Sequence, residues 1–365
     1  MRFLSIMKTP GSNVDFARRS GWLPLFFSLC CFVFAAVAGA QTLDPAAPPT
    51  GDLDYVEMQR RIAEMLPAHP DLLKFSRVCL FPYAEWPAGI STAAREGQQA
   101  FEGYSLKTDS NLIYLLDKAG RSLFSYDLRQ NRMQVLAADR EQKHLQLDDF
   151  ALLRDNTLAI ADNSRTALVF FVDNQFRNKV DFDGERMFFR YISFIEPDRL
   201  GMNLAVCDSG RNRSFVFDRA GNLQWEADGL CEPVFYGNSL IRIETRENGL
   251  LINSFSSIGS ESARLYEYNC EPGNIVLDAW AAGTFSGQLA VVVYEGRGDE
   301  DHPDYARLLL IKDAAVTVHR FVPDLDIRLN LQTPYRLLLT RVGIQLVTAR
   351  IVAEGLEIIG ALLPR

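Results

Sequence analysis

The sequence predicts an all-β fold, a six-bladed β-propeller preceded by a signal peptide and a short N-terminal helix. Three observations carry that expectation. From about residue 76 the 365-residue chain breaks into short apolar runs separated by Gly, Asn and Asp turns. The runs come in pairs that end in Asp, and Asp117, Asp162 and Asp208 fall 45 and 46 residues apart, a period in the range of propeller blades. The pairs then continue to the end of the chain, giving six units in about 290 residues, or ~48 per unit.

Residues 1–20 carry Arg2, Lys8, Arg18 and Arg19 against one acid, Asp15. A nearly unbroken apolar run from Trp22 to Val37 follows and ends at Ala38-Gly39-Ala40. A basic start, an apolar middle and a small-residue site read as a secretory signal cleaved after Ala40. The other reading is a retained anchor, since the run approaches the ~20 residues that span a bilayer. The polar, proline-containing stretch Gln41–Thr50 favours cleavage, and no later run is apolar for long enough to cross. The expected localisation is periplasmic or secreted.

The domain organisation expected is a signal peptide over 1–40, a linker and amphipathic helix over 41–75, and the propeller over 76–365. Met58, Ile62, Met65 and Leu66 recur at helical spacing among charged residues, and Pro67 and Pro70 end the pattern. The first propeller unit pairs Leu112–Asp117 with Ser122–Asp127, the second Leu158–Asp162 with Leu168–Asp173, and the third Leu204–Asp208 with Ser214–Asp218. Leu250–Asn253 with Arg264–Tyr268 marks the fourth, and Leu289–Tyr294 with Arg307–Ile311 the fifth. The sixth comprises Arg336–Thr340, Ile344–Thr348 and Leu356–Ile359. An open stack would expose two apolar flanks, so the units are expected to close into a ring. Arg77–Phe81, ahead of the first unit, is the candidate closing strand. A β-sandwich would not need such regular spacing.

The pattern Asp-turn-Arg-apolar-Phe-Asp-x-x-Gly resembles NHL-type β-propeller repeats. Its fullest match is the stretch from Asp208 through Arg211, Phe215 and Asp218 to Gly221; Asp162–Arg165 matches in part and Asp117 keeps the outline. The last three units lack the Asp and the Arg, so the resemblance covers residues 100–230 by motif and the remainder by spacing. A short carboxylate at a strand end has a structural use, accepting hydrogen bonds from turn N–H groups. The functional alternative is that Arg121, Arg165 and Arg211 line one face of the ring and bind a partner.

With 38 Lys+Arg against 46 Asp+Glu, the net charge is −8. Signal cleavage removes four basic residues and one acid, leaving 34 against 45 and a net −11. That sign argues against a nucleic-acid partner. Four cysteines follow residue 40, Cys79, Cys207, Cys231 and Cys270, and allow three pairings that sequence does not separate. The four histidines form no H-x-H or H-E-x-x-H pattern, and neither G-x-S-x-G nor a phosphate-binding glycine loop is present. Residues 295–304 are unusually acidic, and Asp299, Asp301 and Asp304 could hold Ca²⁺ through hard oxygen ligands. No other cofactor is implied, and a solvated hairpin loop is the simpler reading of that stretch.

Two functions are expected in rank order. The first is a non-catalytic binding or scaffold module for a protein, peptide or glycan. The alternative is a propeller enzyme, a calcium-dependent lactonase-like hydrolase or a lyase, with its site at the central channel; this rests on fold analogy.

Overall fold

The computed structural model describes residues 72–364 apart from 85–88, 91–103, 139–146, 155–156, 163–166, 173–174, 182–191, 199, 210–211, 230, 247, 257–262, 298–304, 314 and 324–333. The expected signal peptide and the helical pattern around Met58–Leu66 therefore lie outside the described residues.

A first strand, Ser76–Pro82 (β1), precedes the regular units. The first blade follows as Tyr104–Asp109 (β2), Leu112–Asp117 (β3), Ser122–Asp127 (β4) and Arg132–Ala138 (β5). The second is Leu147–Leu152 (β6), Thr157–Asp162 (β7), Ala167–Val172 (β8) and Gln175–Asp181 (β9). The third is Ile192–Pro197 (β10), Asn203–Asp208 (β11), Arg213–Asp218 (β12) and Leu223–Asp228 (β13). Glu232–Tyr236 (β14), Ser239–Arg246 (β15), Gly249–Phe255 (β16) and Ala263–Asn269 (β17) make the fourth. Asn274–Phe285 (β18), Gln288–Arg297 (β19), Tyr305–Lys312 (β20) and Ala315–Phe321 (β21) make the fifth. Arg336–Thr340 (β22), Gly343–Val352 (β23) and Gly355–Leu362 (β24) open the sixth, and β1 completes it by pairing antiparallel with β24.

Among the described residues the sheets are thus six, each four-stranded. The first strands of consecutive blades touch around a complete circuit, β2 to β6, β10, β14, β18, β22 and back to β2. Closure by the N-terminal strand is as the sequence suggested: Cys79 faces Ile358 and Phe81 faces Leu356. It covers what would otherwise be a bare edge on the last blade. The fourth unit was legible one strand out of place: Leu250–Asn253 and Arg264–Tyr268 belong to its third and fourth strands, not to the middle pair as in units one to three.

Alternation along each strand sends one set of side chains to each face of a blade, and each face must then be covered by a neighbour. Six apolar clusters result, one at each junction. Tyr114 and Leu116 meet Phe150 between blades one and two, and Phe170 meets Phe215 and Phe217 between two and three. Val216 and Trp225 meet Phe235 between three and four, and Ile252 and Tyr268 meet Val291 between four and five. Tyr294 and Phe321 meet Tyr335 and Leu346 between five and six, and Phe81 with Leu356 meets Phe124 between six and one. The chain ahead of β1 joins this packing: Leu72 bridges Arg320 and the Leu73 N–H donates to the Arg320 carbonyl at 2.8 Å.

Asp117 does the turn work expected of it, and Asp218 at the end of β12 does the same. Asp117 Oδ1 accepts the Gly120 N–H at 2.9 Å, and Asp218 Oδ1 accepts Ala220 N–H and Asn222 N–H, each at 2.9 Å. Burial pulls the Asp218 carboxyl up, but the bonds from Asn222, Ala220 and Gly221 outweigh it and hold it below the ordinary carboxylate value. The glycine of the Asp-x-x-Gly motif has its own reason. Gly221 has φ +85°, and a Cβ there would stand 2.2 Å from Val180 Cγ2 of the preceding blade. No helix among the described residues is long and apolar enough to cross a membrane.

Candidate functional site

Each innermost strand carries an ionisable side chain that pairs with, or lies in the field of, another of the set: Lys107 on β2, Asp149 on β6, Glu196 on β10, Glu232 on β14, Asp278 on β18 and Arg336 on β22. Lys107 is buried and reaches past the second blade to the third, with its ammonium 3.0 Å from Asp149 Oδ2 and 2.8 Å from Glu196 Oε2. It also donates to the Ile195 carbonyl. Arg336, from the opposite side of the ring, lies 3.3 Å from the same Glu196 oxygen and donates from Nε to the Leu106 carbonyl at 3.2 Å. Asp149 further accepts the Ser105 hydroxyl and the Ile195 N–H, the latter at 2.8 Å.

These four side chains carry two positive and two negative charges and cross the axis between blades one, two, three and six. They form a neutral plug. Buried charges survive only when paired and hydrogen-bonded, and each member here has both kinds of partner. Lys118, in the turn between β3 and β4, stands in the same field: burial lowers its pKa, and Asp149 and Asp148 partly restore it.

The remaining two ring residues differ. Glu232 and Asp278 make no ion pair among the described residues. Glu232 Oε2 accepts the Ala281 N–H at 3.2 Å, and Asp278 Oδ1 accepts the Ala279 N–H at 2.8 Å. Burial pushes the Glu232 carboxyl up to about 7; the neighbouring Asp278 charge adds to that, while the Ala281 N–H and Arg336 oppose it. Burial also raises Asp278, which is nonetheless exposed to solvent. A carboxyl held as high as that of Glu232 carries a proton near neutrality and can donate as well as accept.

Register fixes where along the axis these groups stand. Glu196 and Lys107 lie beside the turns that join first to second strands, where Pro197 faces Leu204 and Asp109 faces Leu112. Asp278 faces Tyr294, close to the opposite end, where β19 leaves its sheet toward β20. Asp278 is therefore on the side of the plug where second strands turn into third strands, whereas Glu232, facing Ile241 close to the β14–β15 turn, stands level with Lys107 and Glu196.

Arg121 lies at that end, in the turn between β3 and β4, with φ +50°. Arg165 and Arg211 fall in the corresponding connections of blades two and three, and Asp299, Asp301 and Asp304 in that of blade five; all five lie outside the described residues. Among the described residues no three His, Cys, Asp or Glu side chains converge as a metal site would require. His319 is half-buried on β21, and burial lowers its pKa. The ring residues escaped the sequence reading. Their signal was one or two charged residues in the first short run of every unit, visible only once the innermost strand of each unit is known.

Strand order and axial lining together define the chain as a six-bladed β-propeller with a cross-braced, charged axis. No protein-family model and no curated protein matches the sequence. Solved structures of similar shape include a Bacteroides fragilis protein provisionally described as exported, at 10% identity over 80% of this chain and 96% of that one, with a TM-score of 0.48. Virginiamycin B lyase of Staphylococcus aureus is similar at 10% identity over 78% and 88%, with a TM-score of 0.43. A chain of a nidogen/laminin complex is similar at 12% identity over 60% and 79%, with a TM-score of 0.40. At these values the likeness is one of general shape, and the architecture above rests on the strand pairing itself.

Proposed function

We propose that this is an exported, NHL-like six-bladed propeller that acts as a non-catalytic binding module, in the periplasm or outside the cell. Its ligand is a protein, peptide or glycan, taken at the end of the ring where second strands turn into third strands. The observation that carries the reading is the neutral plug: four of the six charged groups are consumed in bracing the blades, which leaves Glu232 and Asp278 outside its ion pairs. Asp278 toward that end and Glu232 deeper in the ring suit a ligand that presents an ammonium, a guanidinium or hydroxyls. Arg121, Arg165 and Arg211 would act as the rim of that face. Export is supported by the basic, apolar and small-residue order of residues 1–40.

The test is a screen of the purified full chain on peptide and glycan arrays, with each hit repeated on Glu232→Gln/Asp278→Asn. Retention of a cationic peptide or a glycan that weakens at least about tenfold in the double variant is expected, the worth of a charge-assisted hydrogen bond. Unchanged binding by the double variant would overturn the site. Turnover of the retained ligand would favour the enzyme alternative, with Glu232 as the proton-bearing group.

A further inference from the structure

None of Cys79, Cys207, Cys231 and Cys270 is in a disulfide in the structure. Sequence leaves three ways to pair all four, and the ring geometry brings only one pair of them into contact. Cys79 is on β1, in the cluster between the sixth and first blades. Cys270 follows β17 and packs in the cluster between the fourth and fifth. Cys207 is on β11 of the third blade, and Cys231 lies in the connection that carries the chain into the fourth.

Cys207 and Cys231 touch. The Cys207 thiol donates to the Cys231 carbonyl at 3.1 Å. Ser214, the Cα partner of Cys207 across β11 and β12, holds the two in place. Its oxygen accepts the Cys231 N–H at 2.8 Å, and its hydroxyl hydrogen has Cys207 Sγ at 3.6 Å and the Gly229 carbonyl at 3.3 Å as acceptors. The same hydroxyl also lies beside the Cys231 thiol. Ser214 and both cysteines are buried.

We propose that Cys207 and Cys231 form a disulfide that fastens the third blade to the connection into the fourth, while Cys79 and Cys270 stay reduced. The bond rests on the exported reading above, because a reducing cytosol would keep both thiols. The oxidant is a disulfide, on a protein or a small thiol such as glutathione. One cysteine attacks it to give a mixed disulfide, and the second displaces the donor's remaining sulfur. Two S–H bonds and the donor's S–S bond break, one S–S bond forms, and two electrons and two protons leave on the donor as two thiols.

Timing follows from burial. Burial holds the Cys207 thiol far above its ordinary pKa against the Ser214 hydrogen bond, and raises Cys231 against the field of Arg242. The folded, reduced chain therefore presents no attacking thiolate, and the bond must close while the chain folds.

The experiment refolds the full chain from denaturant in a buffer of oxidised and reduced glutathione, alkylates the free thiols and maps linked peptides by mass spectrometry without reduction. A peptide pair joining Cys207 to Cys231 is expected, with Cys79 and Cys270 alkylated and a melting temperature about 5 °C above the reduced form. Oxidised glutathione added after folding should produce the link at least about tenfold more slowly. Alkylation at all four positions after oxidative refolding, or a link that includes Cys79 or Cys270, overturns the pairing. Fractionation of the producing cells separates the two readings. A chain found only in the cytosol, yet linked Cys207 to Cys231 on oxidative refolding, overturns export and upholds the pairing.

Discussion

Replacing Glu232 by Gln should make the protein more stable at pH 8 and leave it unchanged at pH 4.5. The carboxyl is held at about 7 against 4.5 in an unfolded chain, first by burial and then by Asp278. The folded state therefore binds this proton more tightly than the unfolded state does. Its contribution to stability is complete below pH 4.5, declines as pH rises from 4.5 through 7, and is gone above that. A pKa moved this far corresponds to about 3 kcal/mol, and solvent reaching the half-buried side chain reduces it to about 2 kcal/mol. Gln keeps an oxygen for the Ala281 N–H and cannot ionise. Urea unfolding of both proteins at pH 4.5, 6, 7 and 8 isolates the difference, because every other titrating group is common to the two. The difference should open from near zero to about 2 kcal/mol in favour of Gln. Parallel curves, or a less stable variant at pH 8, would refute the assignment of a proton to Glu232.

Two further substitutions probe the brace and the closure. Lys107→Met leaves the buried Asp149 without its cation and Glu196 with Arg336 alone, and should cost about 3–5 kcal/mol in urea unfolding at pH 7; a loss under 1 kcal/mol would show that the plug is not holding the inner strands. Phe81→Ala empties a fully buried site between the sixth and first blades and should cost about 3–5 kcal/mol. A neutral result would mean that β1 does not close the ring.

The blades were legible in the sequence because their physics is local and repeated. Strand-end aspartates such as Asp117 and Asp218 cap turns within their own hairpins, and Gly221 is demanded by a turn conformation beside Val180. Arg77–Phe81 could be picked out as the closing strand because a ring leaves one strand to be supplied from the far end of the chain. The axial residues are legible only in three dimensions. Lys107 and Glu196 are 89 positions apart, and Arg336 meets Glu196 from the opposite blade. No periodic rule says which charge in a first strand turns inward, since each of these strands is short and several, β6, β10, β14 and β18 among them, carry a bulge that resets the alternation. Cys207 and Cys231 became a specific pair for the same reason: the connection between two blades brings together residues that alternation along a strand cannot relate.

Hydrogen exchange of the segment Ser76–Pro82, read by mass spectrometry on the full chain, addresses ring closure most directly. Docked on β24, the amides directed at that strand should exchange as slowly as those of the other outer strands, such as β13 and β17. Exchange of this segment at the rate of free peptide, while β22, β23 and β24 stay protected, would show a last blade of three strands and an open circle.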